Sequence, residues 1–150
     1  MVYLSCGSPN KLLVALPGGS TGAITGKEVV WKTARGVPYI PSPILLDNRL
    51  ILVAENGIVT ALDAVSGSQI LQFRIRDTFS ASPTSIYGTI VIPSDSGRLY
   101  LLDPSRGLEV SRQYPLEGEG FASVAASGAN LYVRTTEFLY CFTMTSGKPL

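Results

Sequence analysis

Short apolar runs recur along this chain, each four or five residues long and each bounded by turn residues. Leu50-Ile-Leu-Val-Ala54 is followed by Glu55-Asn56-Gly57, and then by Ile58-Val-Thr-Ala-Leu62. No segment sustains the three-to-four-residue spacing of an amphipathic helix, so the runs predict β-strands. Because several are apolar at every position, they predict strands buried on both faces of a sheet. The unit from Ser42 to Ile75 predicts four strands: Pro43–Leu46, Leu50–Ala54, Ile58–Leu62 and Gln69–Ile75. The joining turns carry Asp47-Asn48, Asn56-Gly57 and Asp63–Gly67. Asn-Gly is a strong hairpin signal because both residues tolerate positive φ.

The same grammar repeats. Strands are expected at Pro83–Ile86, Thr89–Pro93, Arg98–Leu102 and Leu108–Tyr114, then from Ser123, at Leu131–Thr135 and at Phe138–Phe142. The turn glycines Gly26, Gly67, Gly107 and Gly147 lie 41, 40 and 40 residues apart. Leu62-Asp63 recurs as Leu102-Asp103. Ser42-Pro43 recurs as Ser82-Pro83, with Ser123-Val124 one place further out. A repeated four-stranded sheet buried on both faces is a propeller blade. The expected fold is therefore all-β: a partial β-propeller of three blades and a remnant. The divisions are an incomplete unit at 1–41, blades at 42–81 and 82–122, and closing strands at 123–150. In the first unit, Pro17–Gly22 stands where a regular third strand is expected. Asp63 and Asp103 are placed to accept backbone N–H bonds in their turns, and Gly67 and Gly107 to adopt positive φ.

Composition narrows the function classes. The 150 residues carry 12 basic and 11 acidic side chains, scattered rather than clustered, which gives no electrostatic case for nucleic acid. No apolar run is long enough for a membrane-spanning helix. Met1–Gly19 lacks a basic leader region and is broken by Gly7, Ser8 and Pro9, so it reads as strand–turn–strand rather than as a signal peptide. With no His, neither a Ser-His-Asp set nor a Cys-His pair can form. Cys6 and Cys141 lie in apolar strands and read as small buried side chains, or as a disulfide should the ends of the array meet. Gly22–Glu28 is too short for a phosphate loop, and Gly118-Glu-Gly120 has no helix after it.

Residues Ile24-Thr-Gly-Lys-Glu-Val-Val-Trp31 and Ala61-Leu-Asp-Ala-Val-Ser-Gly67 resemble the repeat of pyrroloquinoline-quinone-like (PQQ-like) propellers. That family spans quinoprotein dehydrogenases and non-enzymatic relatives, including the outer-membrane protein assembly lipoprotein. The resemblance covers nearly the whole chain and implies a bacterial periplasmic or secreted setting. The chain departs from the pattern too: Ser111 replaces a docking aromatic, and Gly22 and Thr143 occupy Asp slots. In the enzymes the resemblance implies an adjacent-Cys disulfide, a stacking Trp, calcium-binding Glu/Asn residues and a catalytic Asp. None of these maps here, so no cofactor and no catalytic residue is expected.

The candidate surface is the set of loops joining one blade to the next: Thr33–Pro41, Arg76–Ser82 and Pro115–Ala122. They carry Arg35, Tyr39, Arg76, Asp77, Phe79, Glu117, Glu119 and Phe121, a mixture of aromatic and charged groups suited to partner contact. Recurrence of Tyr39, Phe79 and Phe121 at spacings of 40 and 42 also fits aromatics wedged between blades. Closed propellers have four to eight blades. The chain is thus expected to be a non-catalytic binding scaffold within a larger propeller, completed by further blades, by a protein partner or by a second copy of itself. The alternative is part of a quinoprotein-type oxidoreductase whose active site lies elsewhere.

Overall fold

A computed structural model of the chain describes residues 1–144. Fourteen strands form four antiparallel sheets among these residues. The first sheet holds β1 (Val2–Cys6), β2 (Leu12–Leu16) and β3 (Trp31–Thr33). The second holds β4 (Ile44–Leu46), β5 (Arg49–Val53), β6 (Ile58–Asp63) and β7 (Gln69–Arg74). The third holds β8 (Thr84–Ile86), β9 (Thr89–Pro93), β10 (Arg98–Asp103) and β11 (Glu109–Pro115), with a 3₁₀ turn at Pro104–Arg106. The fourth holds β12 (Ala125–Ser127), β13 (Asn130–Arg134) and β14 (Leu139–Thr143). Each sheet runs in chain order, as a propeller blade does.

Turn chemistry fixes the strand ends. Asp47 and Asn48 both take positive φ (46° and 60°), as do Tyr87 and Gly88 (46° and 76°), so these two-residue turns have the hand that strand twist favours. At Asn56-Gly57 only the glycine does so. Ala54 N–H donates to Ile58 O and Gly57 N–H to Ala54 O, making a longer turn than the dipeptide alone predicts. Asp63 Oδ1 accepts from Val65 N–H, Ser66 N–H and Ser66 Oγ at 3.1, 2.7 and 2.8 Å. Asp103 Oδ1 accepts from Ser105 N–H and Oγ at 2.9 and 2.6 Å.

Period-two alternation then sorts each apolar strand onto two neighbours. Leu50, Leu52 and Leu62 pack towards the first sheet, against Leu13 and Val37. Ile51, Val53, Val59 and Ala61 pack towards the third, against Ile90, Ile92 and Leu102. Val91, Leu99 and Leu101 face the fourth sheet, meeting Leu131 and Val133. This is why these runs are apolar almost throughout: both faces of the middle sheets are covered, and the polar position in Ile58–Leu62, Thr60, is buried where its Oγ1 accepts from Gln72 Nε2 at 3.0 Å. Each fully buried Leu or Ile contributes roughly 1.5–3 kcal/mol relative to exposure.

Three expectations are corrected. The first unit keeps its third strand, Leu12–Leu16, and Pro17–Gly22 belongs to a long connection from β2 to β3; what the first sheet lacks, relative to its neighbours, is the innermost strand. Cys6 and Cys141 are exposed free thiols rather than buried or bridged, because each points from an end sheet on the face away from the array. The expected turn at Thr145-Ser146-Gly147 lies outside the described residues.

Candidate functional site

The inter-blade loops are built as clamps. In the loop after β7, Ile75 N–H donates to Gly57 O at 2.9 Å and Phe79 N–H to Glu55 O at 3.0 Å, tying it to the β5–β6 turn. The same loop reaches the next sheet, where Asp95 N–H donates to Thr78 O at 2.9 Å and Ser80 N–H to Asp95 Oδ1 at 2.8 Å. The other loops repeat the device. Tyr39 and Ile40 N–H donate to Glu55 Oε1, and Glu119 N–H donates to Thr136 Oγ1 at 3.0 Å while Thr136 N–H returns to Glu119 O at 2.9 Å. A chain of serines adds a second tie: Ser42 N–H donates to Ser82 Oγ and Ser82 N–H to Ser123 Oγ, each at 2.9 Å. The recurrent serines thus link consecutive blades.

Asp77 anchors a polar cluster. Its side chain is only 5% exposed, and its Oδ2 accepts from Ser96 Oγ at 2.8 Å, Tyr100 OH at 3.0 Å and Arg98 at 3.3 Å. Burial alone would raise its pKa. The hydrogen bonds from Ser96, Thr78 N–H, Ser94 and Tyr100 together outweigh it, and the carboxyl sits below the ordinary value. Tyr100 moves the other way, raised by burial and then by the Asp77 carboxylate. Glu55 is lowered: burial opposes ionisation, and backbone N–H donors including Ile40 and Tyr39, with Lys11 at 3.3 Å, overcome it.

The predicted surface residues therefore divide. Phe79 is fully buried, its ring edge-on to Tyr100 at 5.6 Å, so it is a wedge between blades. Tyr39 and Phe121 are exposed at 55% and 48% and do not wedge. Arg35, Arg76, Glu117 and Glu119 are exposed, while Asp77 is occupied within its cluster. Phe121 and Glu119 share a shallow recess with Arg134. Sequence reasoning missed Glu55 and Asp95 as clamp residues; their spacing of 40 within the period was the available signal.

The end sheets present a second surface. Strand register places Val2 and Leu4 in the positions of Leu50 and Leu52 one blade later. It likewise places Tyr132, Leu139 and Cys141 in the positions of Val91, Leu99 and Leu101. The interior residues are 0–2% exposed, whereas Val2 and Leu4 are 46% and 52% and Leu139 is 71% exposed.

Residues 7–148 match the family described as outer membrane protein assembly factor BamB, PQQ_2. The chain belongs to this PQQ-like propeller family. Among solved structures it resembles BamB from Moraxella catarrhalis, with a TM-score of 0.61 and 18% identity over 91% of this chain and 41% of that one. It also resembles a quinohemoprotein alcohol dehydrogenase from Pseudomonas putida HK5, with a TM-score of 0.60 and 15% identity over 87% of this chain and 26% of that one. A europium-containing methanol dehydrogenase gives a TM-score of 0.52 and 14% identity over 79% and 23% of the respective chains. At these identities the likeness is one of fold. The PQQ-like chain spans about two fifths or less of these structures' lengths. No curated protein sequence matches it. No helix of the described residues is long and apolar enough to cross a membrane.

A quinone site does not fit the residues described. The single Trp31 is engaged as a blade contact: its Nε1 donates to Ala64 O at 3.1 Å and its ring lies against Gly67. The two cysteines point outward from opposite end sheets, so no adjacent pair is available to hold a quinone ring.

Proposed function

We propose that this PQQ-like chain is a non-catalytic interaction scaffold that works as part of a larger propeller, its two end sheets stacking on further blades. The exposed apolar positions of the end sheets carry this reading. Val2 and Leu4 occupy slots that interior blades bury completely, as do Leu139 and Cys141. Exposed apolar residues in register with a buried stacking surface mark an interface. The two faces also have opposite sense, one of the kind that meets the preceding blade and one that meets the following blade. Such faces pair head to tail, and two copies of this chain joined at both ends form a ring.

Light scattering over a range of concentrations tests the reading on the chain as it stands. Association that weakens in Leu139→Glu supports stacking through the end sheets. A monomer at all concentrations that binds no apolar dye counts against exposed stacking faces. The dehydrogenases among the similar structures share the fold at 14–15% identity, which gives no second observation for catalysis in this chain.

A further inference from the structure

We infer that the gap between the second and third sheets binds a small planar aromatic molecule, a fused-ring compound taken up free from solution. This site is independent of the scaffold reading and goes beyond it. The chain supplies its own precedent one blade earlier. Between the first and second sheets the Trp31 ring lies on the turn glycine Gly67, with indole atoms 2.6–2.9 Å from the place a Cβ would take. Forty residues on, the same two positions recur with different contents. Register puts Leu71 in the slot of Trp31, since Trp31 pairs with Ala15 and Leu71 with Ala61. Gly107 stands in the place of Gly67, at a φ of 70° against 72°. No ring covers it: apart from its chain neighbours, no atom lies within 4 Å of where its Cβ would be, and Gly107 is exposed where Gly67 is half-buried. The result is a cavity of about 960 Å³ lined by both Leu71 and Gly107. Small-molecule sites span roughly 300–1,000 Å³.

The walls are sheet faces, and their chemistry selects a flat apolar ring. Alternation puts Leu71 and Phe73 on the face of β7 that looks at the third sheet, where both pack against the shared core. Across the gap, Val110 pairs with Leu102 of that core and so presents the facing wall. Leu108, fully buried in the same core, forms the base. A planar ring between these walls meets apolar atoms on both broad faces. The site asks for no hydrogen-bond donor. Trp31 Nε1 donates to Ala64 O at 3.1 Å, but the corresponding carbonyl, Pro104 O, already accepts from Arg49 Nη1 at 3.0 Å, and Arg49 does not line the cavity.

The test is a methyl NMR titration of the whole chain with indole. Saturable shifts at the Leu71, Leu108 and Val110 methyls are expected, with a dissociation constant of about 1 mM or tighter. Cyclooctanol, an aliphatic ring of similar size, should bind at least fivefold more weakly. Leu71→Trp restores the covering ring, so it should raise the melting temperature and abolish the indole shifts at Leu108 and Val110. Gly107→Asn, a residue type that tolerates left-handed φ, sets a side chain in the same space and should weaken binding at least fivefold with the fold intact by circular dichroism. No saturable shift at these methyls, equal binding of indole and cyclooctanol, or indole binding unchanged in Leu71→Trp overturns the inference. A tripeptide, acetyl-Gly-Trp-Gly-amide, that binds at least tenfold more tightly than indole overturns it too, by assigning the site to a partner's side chain. Leu139→Glu separates the two proposals: it should alter association mass and leave indole affinity unchanged.

Discussion

Trp31 lies flat against Gly67 of the following blade, so closely that a Cβ on Gly67 would fall 2.6 Å from the indole Cδ2. Gly67 thus meets two demands at once, a φ of 72° and the absence of a side chain. Gly107 has nearly the same φ of 70°, but nothing lies within 4 Å of the place its Cβ would take.

The pair predicts a graded stability series. Gly107→Ala should cost about 1–2 kcal/mol, the backbone penalty alone. Gly67→Ala should cost more, because the indole must also shift. Thermal melts check this, and in a Trp31→Leu background the two glycine substitutions should converge. Equal losses in the native background would remove the steric role assigned to Trp31.

Asp77 predicts an acid-sensitive blade contact. Its folded pKa is depressed, so its contribution is complete above the ordinary aspartate value of 3.8 and is lost as pH falls through the lower folded value. The half-buried Asp63 and Asp103 shift in the same direction through their Ser66 and Ser105 hydrogen bonds. Asp77→Asn should cost about 1–3 kcal/mol near neutral pH by leaving Ser96, Tyr100 and Arg98 badly matched. Denaturant melts from pH 6 to pH 2 should show a shallower acid limb in the variant than in the parent.

The serine ties predict a modest and local effect. Ser82→Ala removes the acceptor for Ser42 N–H and keeps its own N–H bond to Ser123. A loss of about 1 kcal/mol is expected, with faster amide hydrogen exchange at Ser42 and no change at Ser123.

The thiols report on the end sheets. Cys6 and Cys141 are both exposed in the single chain, so both should react promptly with a thiol reagent at low concentration. Cys141 occupies the slot of fully buried Leu101, so stacking of a further blade should protect it. Protection that appears in step with association mass is the expected result; labelling that stays fast in the associated form would place the interface elsewhere.

Much of the fold was legible along the chain. The apolar runs marked all four strands of the second and third sheets to within a residue or two, and the 40-residue recurrence marked the blades. Asp63, Asp103, Gly67 and Gly107 act as their turn positions imply, because turn chemistry depends on neighbours in sequence. The candidate site was legible only in part. Phe79 and Tyr39 stand 40 residues apart in equivalent loops, yet one is buried and the other exposed, since burial depends on what the adjacent sheet offers. Phe79 meets the Tyr100 ring, while Tyr39 lies beside Gly7 of a first sheet that has no innermost strand.

Sequence by itself determined the strand pattern, the repeat and the family, because alternation and turn residues act over a few positions. Tertiary structure alone decided which face each apolar side chain covers and which faces remain open. Cys141 and Leu101 hold the same register position in strands of similar apolar character, but a fourth sheet covers one, and among the described residues nothing covers the other. Burial is a property of the neighbouring sheet, and that neighbour is set by stacking rather than by the strand's own residues.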